Sequence, residues 1–453
     1  MKAIYIFTRD LRTKDNTTLN QISKIKNSSI IPIFVFTPEQ VSNANTFKSN
    51  NAIQFMVESL KELDTELGWK LAIFYGKTET IVSKLIKEHQ PDAIYITKDY
   101  TPYAKQREEN LKALAEKNNV EFNTPEDYCL HPMNSITNVS GQPYQKYTPY
   151  YRKAVTITPN KPTTSKLPSI IKIKTNYSLG KAESLYKKNT LLNKSGGRTM
   201  GLKQLDMVKS QKEYGKTRND LEIKTSELSA YIKFGNISIR EVYWRIKKLF
   251  GVNHSIIAQL IWRDFYYQLG ENFPHVIGGP LKEKYGKIKW SKNKKTLDLW
   301  KQGKTGYPIV DACMTQLNTT GYMHNRGRLI VASFLVKTLL HDWQEGEKYF
   351  ARQLEDYDPL VNNGNWQWVS GSGADSQPYF RVFNPWLQSQ KHDPNAIYIK
   401  KWLPELKDVE PKHLHQWDVY HKEHSGVDYP APIVDYKKSK ENTLKEYKKA
   451  LGA

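Results

Sequence analysis

The 453-residue sequence has only two cysteines, Cys129 and Cys313, which lie far apart and form no metal-ligand or redox motif. A fold stapled by disulfides is therefore excluded, and we expect a soluble protein in a reducing, intracellular compartment. The sequence also lacks any run of about 18 apolar residues without a charge, so it predicts no membrane span. The N-terminal apolar run meets a charge at Arg9, which is too early for a signal peptide.

The composition is that of a globular protein. Hydrophobic residues make up 39%, charged residues 25% and aromatic residues 12% of the chain. These fractions exclude wholesale disorder and a collagen-like repeat. The length suffices for two or three ordinary domains.

The strongest compositional bias is positive charge. Lys and Arg together number 68 against 46 for Asp and Glu, which gives a formal net charge of +22. An excess of this size favours a polyanionic partner such as nucleic acid. The alternative is a lysine-rich surface that only keeps the protein in solution. The residues that lie beside the charges are the evidence that can distinguish nucleic-acid binding from solubility.

The first 130 residues alternate short apolar runs with helical patterns. Residues 51–67 carry apolar side chains at helical spacing. The alternation predicts a doubly wound parallel α/β domain over 1–130, with ligands at the carboxyl ends of its strands. No G-x-G-x-x-G follows the first strand, so no dinucleotide site is predicted there. The predicted strands, which are near-continuous and rich in β-branched and aromatic residues, are 3–7, 30–36, 71–75 and 93–97.

The chain changes character after residue 130. Prolines interrupt residues 131–195 repeatedly, and we expect this stretch to be an interdomain linker without regular elements. Beyond it, helical patterns such as 256–269 and 329–340 predominate. An all-α domain is therefore predicted over 196–453.

Residues 356–368 concentrate polar side chains in a way that packing does not require. Pro359 and Gly364 are expected to prevent a continuous helix, so Asp356 and Asp358 would line a loop and the start of a helix. Helix capping is the alternative explanation for such a cluster.

Two basic residues, Arg326 and Arg328, stand in a predicted loop directly before an apolar helix. An arginine pair and an aspartate pair, each beside an aromatic helix, indicate a buried ion pair around a polar ligand. Surface salt bridges are the alternative.

Small hydroxyl side chains at 225–229 precede a helical pattern, which favours an N-cap and capping box over phosphate binding. Trp262 and Trp368 adjoin Arg263 and Gln367, respectively. Aromatic rings beside such groups suit stacking on nucleic acid bases, with packing in the core as the alternative.

Five segments together resemble the photolyase/cryptochrome family. They follow the family's order: FTRDLR at 7–12, TGYPIVDA at 305–312, GYMHNRGR at 321–328, NWQW at 365–368 and YFRVFNP at 379–385. The resemblance runs from about residue 3 to about residue 436. It implies an N-terminal antenna domain over 1–130 and a helical domain over 196–453 that holds FAD in a folded conformation and binds damaged DNA.

The resemblance also implies a set of FAD-binding residues. Arg328 and Asp356 match a salt bridge beside the isoalloxazine, Asp358 matches the partner of the ring imide, and Asn362 matches the residue that faces N5. A cation and an amide at these positions would stabilise reduced, anionic FAD, which is the active form. The positions that match other contacts to the cofactor are Tyr214, Thr225, Ser226, Leu228, Ser229 and Arg263.

The resemblance implies residues for an electron relay and for a lesion pocket, both of which light-driven repair needs. Trp366, Trp343 and Trp290 match a chain of three tryptophans that carries electrons from the surface to photoexcited flavin. Trp262 and Trp368 match the pair that clasps a flipped-out pyrimidine dimer. Other positions of the lesion pocket are Gln259, Asn325, Arg326 and Leu329.

Two markers of lesion type disagree. Gln259 stands where members that repair cyclobutane dimers usually have Glu, and Gln is more usual in (6-4) photolyases and animal cryptochromes. Asn325 stands where that second branch has a histidine needed as a proton donor. We therefore expect electron transfer from photoexcited reduced FAD to a cyclobutane dimer in single- or double-stranded UV-damaged DNA, by a monomer. The alternatives are a (6-4) photolyase and a cryptochrome-type blue-light signalling protein.

The family also uses a second, light-harvesting chromophore, which can be a folate, a deazaflavin or FMN. Ala104 stands near the position where a folate-binding member carries an acid. This departure disfavours folate and leaves the identity of the antenna open.

Overall fold

The computed structural model describes residues 1–164, 166–175 and 177–452. Ser165 and Asn176 of the predicted linker and Ala453 of the predicted helical domain lie outside the described residues. The described chain has the predicted fold class, a parallel sheet with helices followed by a mostly helical part.

The N-terminal part is built on a parallel sheet. Its strands are β1 (Lys2–Ile6), β2 (Ser29–Phe36), β3 (Ala72–Tyr75), β4 (Ala93–Ile96), β5 (Glu121–Asn123) and β6 (Ser169–Ile170). The strand order is β3-β2-β1-β4-β5, and β6 pairs with the start of β2. The order reverses direction at β1 and β4, and the crevice at this point is where doubly wound sheets bind ligands.

Both faces of the sheet are buried, which explains why its strands are near-continuously apolar. Ala3 and Tyr5 belong to one buried cluster, whereas Ile4 and Ile6 belong to another on the opposite face. The flanking helices are α1 (Thr17–Ser23), α2 (Pro38–Val41), α3 (Asn50–Glu66), α4 (Thr78–His89) and α5 (Pro102–Lys117). The predicted strands and the predicted helix at 51–67 are therefore confirmed.

The stretch 131–195 contains regular elements, so the expectation of a structureless linker was wrong. Helix α6 (Tyr147–Ala154) and helix α7 (Leu179–Ala182) lie in it, together with β6. Tyr147, Tyr150 and Ala154 are buried at helical spacing, which gives α6 an apolar face despite the prolines around it. The domain boundaries themselves stay a prediction.

The remainder of the chain is helical. The helices are α8 (Arg198–Met207), α9 (Tyr214–Thr217), α10 (Ser229–Lys233), α11 (Ile239–Phe250), α12 (Ser255–Asn272), α13 (Lys294–Gln302), α14 (Pro308–Thr320), α15 (Asn325–Lys337), α16 (Trp343–Gln353), α17 (Pro359–Ser370), α18 (Pro385–His392), α19 (Ile397–Trp402), α20 (Pro411–Leu414), α21 (Trp417–Tyr420) and α22 (Tyr436–Leu451). Short 3-10 helices lie at Glu183–Leu185, Val208–Ser210, Pro274–Val276, Glu283–Lys287, Pro404–Leu406 and His421–His424. Over the described ranges, no helix has both the length and the apolar character needed to cross a bilayer.

Helix α17 runs through Gly364, contrary to the expectation that Pro359 and Gly364 would break it. Pro359 occupies the first helical position, where its missing N–H costs nothing. A β-carbon at Gly364 would lie 2.2 Å from Cδ1 of Tyr266, so the glycine lets α12 and α17 approach each other closely.

Arg326 and Arg328 lie in the first turn of α15 and not in a loop. The helix begins earlier than predicted because the side chain of His324 caps it, accepting a hydrogen bond of 3.1 Å from the backbone N–H of Arg326. The backbone positions of both arginines are therefore set by the first turn of a capped helix.

Buried ion pairs join the sheet to the helical part. Arg240 of α11 lies 3.0 Å from Asp15 and 2.8 Å from Asp127, and Asp127 also pairs with Arg12. Burial would raise the pKa of Asp127, but Arg12 and Arg240 hold it well below its usual range. These contacts fix how the sheet meets the helices around the sites described next.

Candidate functional site

A cavity in the helical part collects residues from α9, α10, α12, α15 and α17. It is lined by polar and apolar side chains in a mixture typical of small-molecule sites. Residues predicted for FAD and for the lesion line it together: Tyr214, Ser226, Leu228, Ser229, Gln259, Arg263, Asn325, Arg328, Leu329, Asp356, Asp358, Asn362 and Trp366. Of the other predicted residues, the described lining does not include Thr225, Trp262, Trp290, Arg326, Trp343 or Trp368.

Three basic side chains, Lys233, Arg263 and Arg328, line this cavity, and Arg328 pairs with Asp356. The guanidinium lies 3.0 Å from the carboxylate, and its Nε–H donates to the carbonyl of Met323 at 2.9 Å. The hydroxyl of Ser229 donates to the same carboxylate at 2.6 Å. Burial lowers the pKa of Arg328, but Asp356 more than offsets this and raises it, so the half-buried guanidinium stays charged.

The hydroxyl of Ser229 therefore binds Asp356 and does not cap a helix. Helix α10 begins after Leu228, whose side chain makes no capping bond, so the predicted N-cap and capping box at 225–229 was wrong. The segment is instead fixed by Gln204, whose amide donates to the carbonyl of Ser226 at 2.8 Å.

Asp358 is bound to the sheet part of the molecule and not to Arg328. Arg9 lies 3.1 Å from its carboxylate, and the hydroxyl of Tyr267 donates to the same oxygen. The other oxygen caps α17 by accepting from the N–H groups of Leu360 and Val361 at 3.2 and 3.3 Å. Burial would raise the pKa of Asp358, but Arg9 and Arg263 lower it, so the group is a carboxylate at neutral pH.

Asn362 is buried and lines the cavity. Its Nδ2 donates to the backbone carbonyl of Glu347 at 3.0 Å, and the neighbouring Asn363 donates to the Glu347 carboxylate at 2.9 Å. This bond uses one of the two N–H groups of the Asn362 amide, so a ligand can bind its Oδ1 or its second N–H. Burial raises the pKa of Glu347 to about 7.

Three of the predicted lesion residues, Gln259, Asn325 and Leu329, line the same cavity. Gln259 is half-buried and Asn325 is exposed, and both line the cavity. Arg326 donates to Oδ1 of Asn219 at 2.6 Å, and burial together with the charges of Arg218 and Arg381 lowers its pKa. Arg218, Arg326 and Arg381 thus form a cluster of like charges, which we call the rim arginines.

The three predicted relay tryptophans run from the interior toward the surface. Trp366 and Trp343 are 2% and 3% exposed, whereas Trp290 is only half-buried. A β-carbon at Gly346 would lie 2.1 Å from Cη2 of Trp366, so the Trp366 ring lies directly on α16, the helix that Trp343 begins. Sequence reasoning missed Trp300, whose ring lies 6.3 Å from that of Trp366.

The sequence matches two family models, one described as DNA photolyase over residues 3–168 and one described as the FAD binding domain of DNA photolyase over residues 256–449. It is 36% identical to a deoxyribodipyrimidine photo-lyase of Buchnera aphidicola subsp. Baizongia pistaciae, with 98% of this chain and 97% of that chain covered. The chain belongs to the DNA photolyase family. The FAD-binding model spans α12 to α22, which includes most of the cavity described above.

Solved structures of photolyases have the same fold. An archaeal photolyase from Sulfolobus tokodaii, described with two FAD molecules, is 38% identical, with a TM-score of 0.87 over 99% of this chain and 100% of that chain. A bacterial class III photolyase from Agrobacterium tumefaciens is 31% identical, with a TM-score of 0.91 over 100% of this chain and 98% of that chain.

A second, larger cavity lies where this photolyase-family sheet meets the helical part. It is bounded by the carboxyl ends of β1 and β2, by residues that follow β4, and by α16. Lys233 lines both cavities and has no carboxylate partner within salt-bridge distance among the described residues. Burial and the charge of Arg9 lower the pKa of Lys233 to about 7.

Proposed function

We propose that the chain repairs cyclobutane pyrimidine dimers in UV-damaged DNA, using light and reduced FAD. The observation that carries this proposal is a single cavity lined by most of the FAD set and by Gln259, Asn325 and Leu329 of the lesion set. Relatives that align over nearly the whole chain are named deoxyribodipyrimidine photo-lyases. The basic surface supplies the contacts to DNA phosphates that such an enzyme needs.

The cavity fits FAD. Tyr214, Ser226 and Ser229 offer hydroxyl groups for the phosphates and the ribityl chain, and Arg263 and Arg328 offer positive charge. When bound, reduced FAD supplies the electron that light promotes toward the dimer.

Two residues of the cavity favour the reduced, anionic form of the flavin. The half-buried guanidinium of Arg328 would stabilise negative charge on the ring. The Oδ1 atom of Asn362 would accept a hydrogen bond from the N5–H that only the reduced ring carries. An acidic side chain at position 362 would disfavour this form, because a second negative charge would face the ring.

The lesion pocket would combine Gln259, Asn325 and Leu329, which line the cavity, with the two tryptophans predicted to clasp the dimer. Trp262 and Trp368 are both half-buried, as two rings that stack on a flipped-out dimer need to be. Gln259 and Asn325 offer neutral hydrogen bonds to the pyrimidine edge, and Leu329 offers an apolar contact. The rim arginines are placed to bind the phosphates on either side of the lesion.

The state of His324 supports cyclobutane dimers over (6-4) products. Repair of a (6-4) product needs a protonated histidine at the lesion, whereas dimer splitting needs no net proton transfer. His324 is buried, and burial with Arg328 and Arg326 lowers its pKa to about 4, so it is neutral at pH 7. Asn325, the other candidate position, carries no titratable group. The (6-4) activity remains the second candidate only because of Gln259.

The proposal is tested by illuminating the reduced protein with two oligonucleotides, one carrying a cyclobutane dimer and one a (6-4) product, followed by chromatography. We expect restoration of the first oligonucleotide and not of the second. Restoration of the (6-4) oligonucleotide with the dimer left intact would overturn the proposal in favour of the second candidate. Restoration of neither by a protein that retains its flavin would indicate a cryptochrome-type signalling role.

Substitutions at Gln259 refine this test. Gln259→Leu removes a hydrogen bond to a group that becomes charged, a loss worth about 1.5–3 kcal/mol, so the dimer repair yield should fall clearly. Gln259→Glu should keep or raise the yield. Equal yields for the wild type and Gln259→Leu would remove Gln259 from the lesion pocket.

We further infer that the second cavity holds the antenna chromophore. It lies at the carboxyl ends of β1 and β4, the expected ligand position in a doubly wound sheet. Phe34, Phe36 and Tyr103 offer faces for a planar ring, and Arg9, Arg107 and Lys233 offer positive charge for an acidic group. A deazaflavin, FMN or a second FAD meets this description. An absorption spectrum of the purified protein, with chromatography of the extracted pigments, tests the assignment.

A further inference from the structure

The ring of Trp262 is covered on one face by Tyr147. The two ring centroids lie 3.7 Å apart and the planes are inclined by 10°, which is face-to-face stacking. Phe265 and Tyr266 approach the same indole at 5.6 and 5.5 Å. Trp262 is half-buried, so these neighbours enclose part of the ring and leave the rest exposed.

Tyr147 is itself fixed to the helix that carries Trp262. Its hydroxyl donates to the carbonyl of Ala258 at 2.6 Å, and Ala258 precedes Trp262 by one turn of α12. The Tyr147 ring also lies 5.9 Å from Phe265. Tyr147 therefore contacts α12 at two positions one turn apart. Its hydroxyl binds Ala258, and its ring stacks on Trp262.

Such support matters because a half-exposed tryptophan is otherwise free to change its side-chain torsions. A ring that must stop moving when a ligand stacks on it loses conformational freedom, and that loss weakens binding. A ring already held against a second aromatic surface avoids the loss. The stacked face of Trp262 is occupied by Tyr147, so the opposite face is the one available to a base.

We propose that Tyr147 is a positioning residue that holds the Trp262 indole as a preformed platform for the flipped-out pyrimidine pair. This inference rests on the proposed function, because it takes Trp262 as part of the lesion pocket. It also gives helix α6, in the stretch 131–195, a part in recognition of the substrate.

The test compares Tyr147→Ala, Tyr147→Phe, Trp262→Ala and the double variant Tyr147→Ala/Trp262→Ala, each as the FAD-loaded full-length protein. Dissociation constants are measured in the dark by fluorescence anisotropy, with a dimer-containing oligonucleotide and an undamaged one. Repair yield at saturating substrate is measured under light. Flavin content and melting temperature establish that each variant is folded.

We expect Tyr147→Ala to weaken binding of the dimer oligonucleotide about threefold to tenfold, with binding of undamaged DNA and the saturated repair yield unchanged. Tyr147→Phe keeps the stacked ring and should retain affinity within about twofold. In the Trp262→Ala background, Tyr147→Ala should cause no further loss, because the platform that it positions is gone. A residue that served only general stability would instead affect both oligonucleotides and both backgrounds.

The inference is overturned if Tyr147→Ala binds the dimer as the wild type does, or if it weakens binding equally in the Trp262→Ala background. If Tyr147→Ala does not fold, Tyr147→Leu keeps the apolar volume without the flat face and should show the same selective loss. Failure of the proposed function is distinguishable, because Trp262→Ala itself would then leave the affinity for the dimer oligonucleotide intact.

Discussion

Asp356 and Asp358 stand two positions apart, yet their carboxylates have different partners. Asp356 pairs with Arg328 and accepts from Ser229 within the cavity. Asp358 pairs with Arg9 of the sheet part and caps helix α17. Of these two acids, Asp356 fixes Arg328 in the proposed flavin site, whereas Asp358 connects that site to the sheet part of the molecule.

Asp356→Asn should release FAD. The substitution leaves the half-buried Arg328 without its counter-ion and weakens a charge-assisted hydrogen bond, a loss of about 1.5–3 kcal/mol. The ratio of flavin to protein absorbance after gel filtration should therefore drop well below that of the wild type. Asp408→Asn, at an exposed position, is the matched control and should keep the wild-type ratio. An unchanged ratio in Asp356→Asn would contradict the assignment of the cation site.

At the scale of elements, the proposed relay depends on the contact between α16 and α17. Trp343 begins α16, and Trp366 of α17 lies on Gly346, one turn into α16. The close approach is possible only because Gly346 has no side chain. The two buried tryptophans are thus held by a helix pair and not by a loop.

Trp366→Phe should block photoreduction of oxidised FAD and spare repair by protein that has been chemically reduced. Phenylalanine fills most of the space but is much harder to oxidise than tryptophan. Absorbance of the flavin under blue light, with an external reductant, follows the first reaction. Trp69→Phe, at a position 63% exposed, is the control and should photoreduce normally. Photoreduction at the normal rate in Trp366→Phe would refute the relay.

Gly346→Ala should destabilise the helical part and disturb the relay. The new methyl group would lie 2.1 Å from Trp366 and 2.7 Å from Leu335, so one of the helices must shift. Overpacking of this kind costs about 1–3 kcal/mol of the free energy of unfolding. Gly426→Ala, where nothing lies within 4 Å, is the matched control. Denaturant unfolding would show the difference, and equal midpoints for the two variants would count against the packing argument.

At the scale of the whole molecule, the net positive charge and the positions of the two cavities both bear on the proposed function. The net charge of +22 favours binding to DNA that does not depend on sequence, and the rim arginines would bring part of that charge to the proposed lesion pocket. Lys233 lines both cavities, so the proposed antenna site and the proposed flavin site have this side chain in common.

Binding to DNA should weaken steeply with salt. Each phosphate contact contributes about −0.9 to the slope of log affinity against log salt concentration, so Arg381→Gln should make the slope shallower by about 1. Lys112→Gln, on helix α5 of the sheet part, is the control and should leave the slope unchanged. Titrations of a labelled duplex at several salt concentrations give both slopes. Parallel slopes for the wild type and Arg381→Gln would exclude Arg381 from the phosphate contacts.

The sequence by itself determined the strands of the sheet core and the longer helices, but not the short elements of 131–195. Hydrophobic periodicity is a local property, so the buried parallel strands and the long helices α3 and α12 could be predicted within a few residues of their ends. The ordered motifs also identified the family before any coordinates. The same local reasoning wrongly predicted that Gly364 would interrupt helix α17. The glycine is instead part of the helix, where the lack of a side chain allows close contact with Tyr266.

Only the tertiary structure decided which side chains meet. Arg9 lies 349 positions from Asp358, and Tyr147 lies in a stretch whose prolines suggested no structure at all, yet both contact the proposed site directly. Periodicity shows which face of an element is buried, but not which distant element covers it. Pairing of charges and stacking of rings depend on distances of a few ångströms between elements that are far apart in the chain, and those distances exist only after the elements have packed.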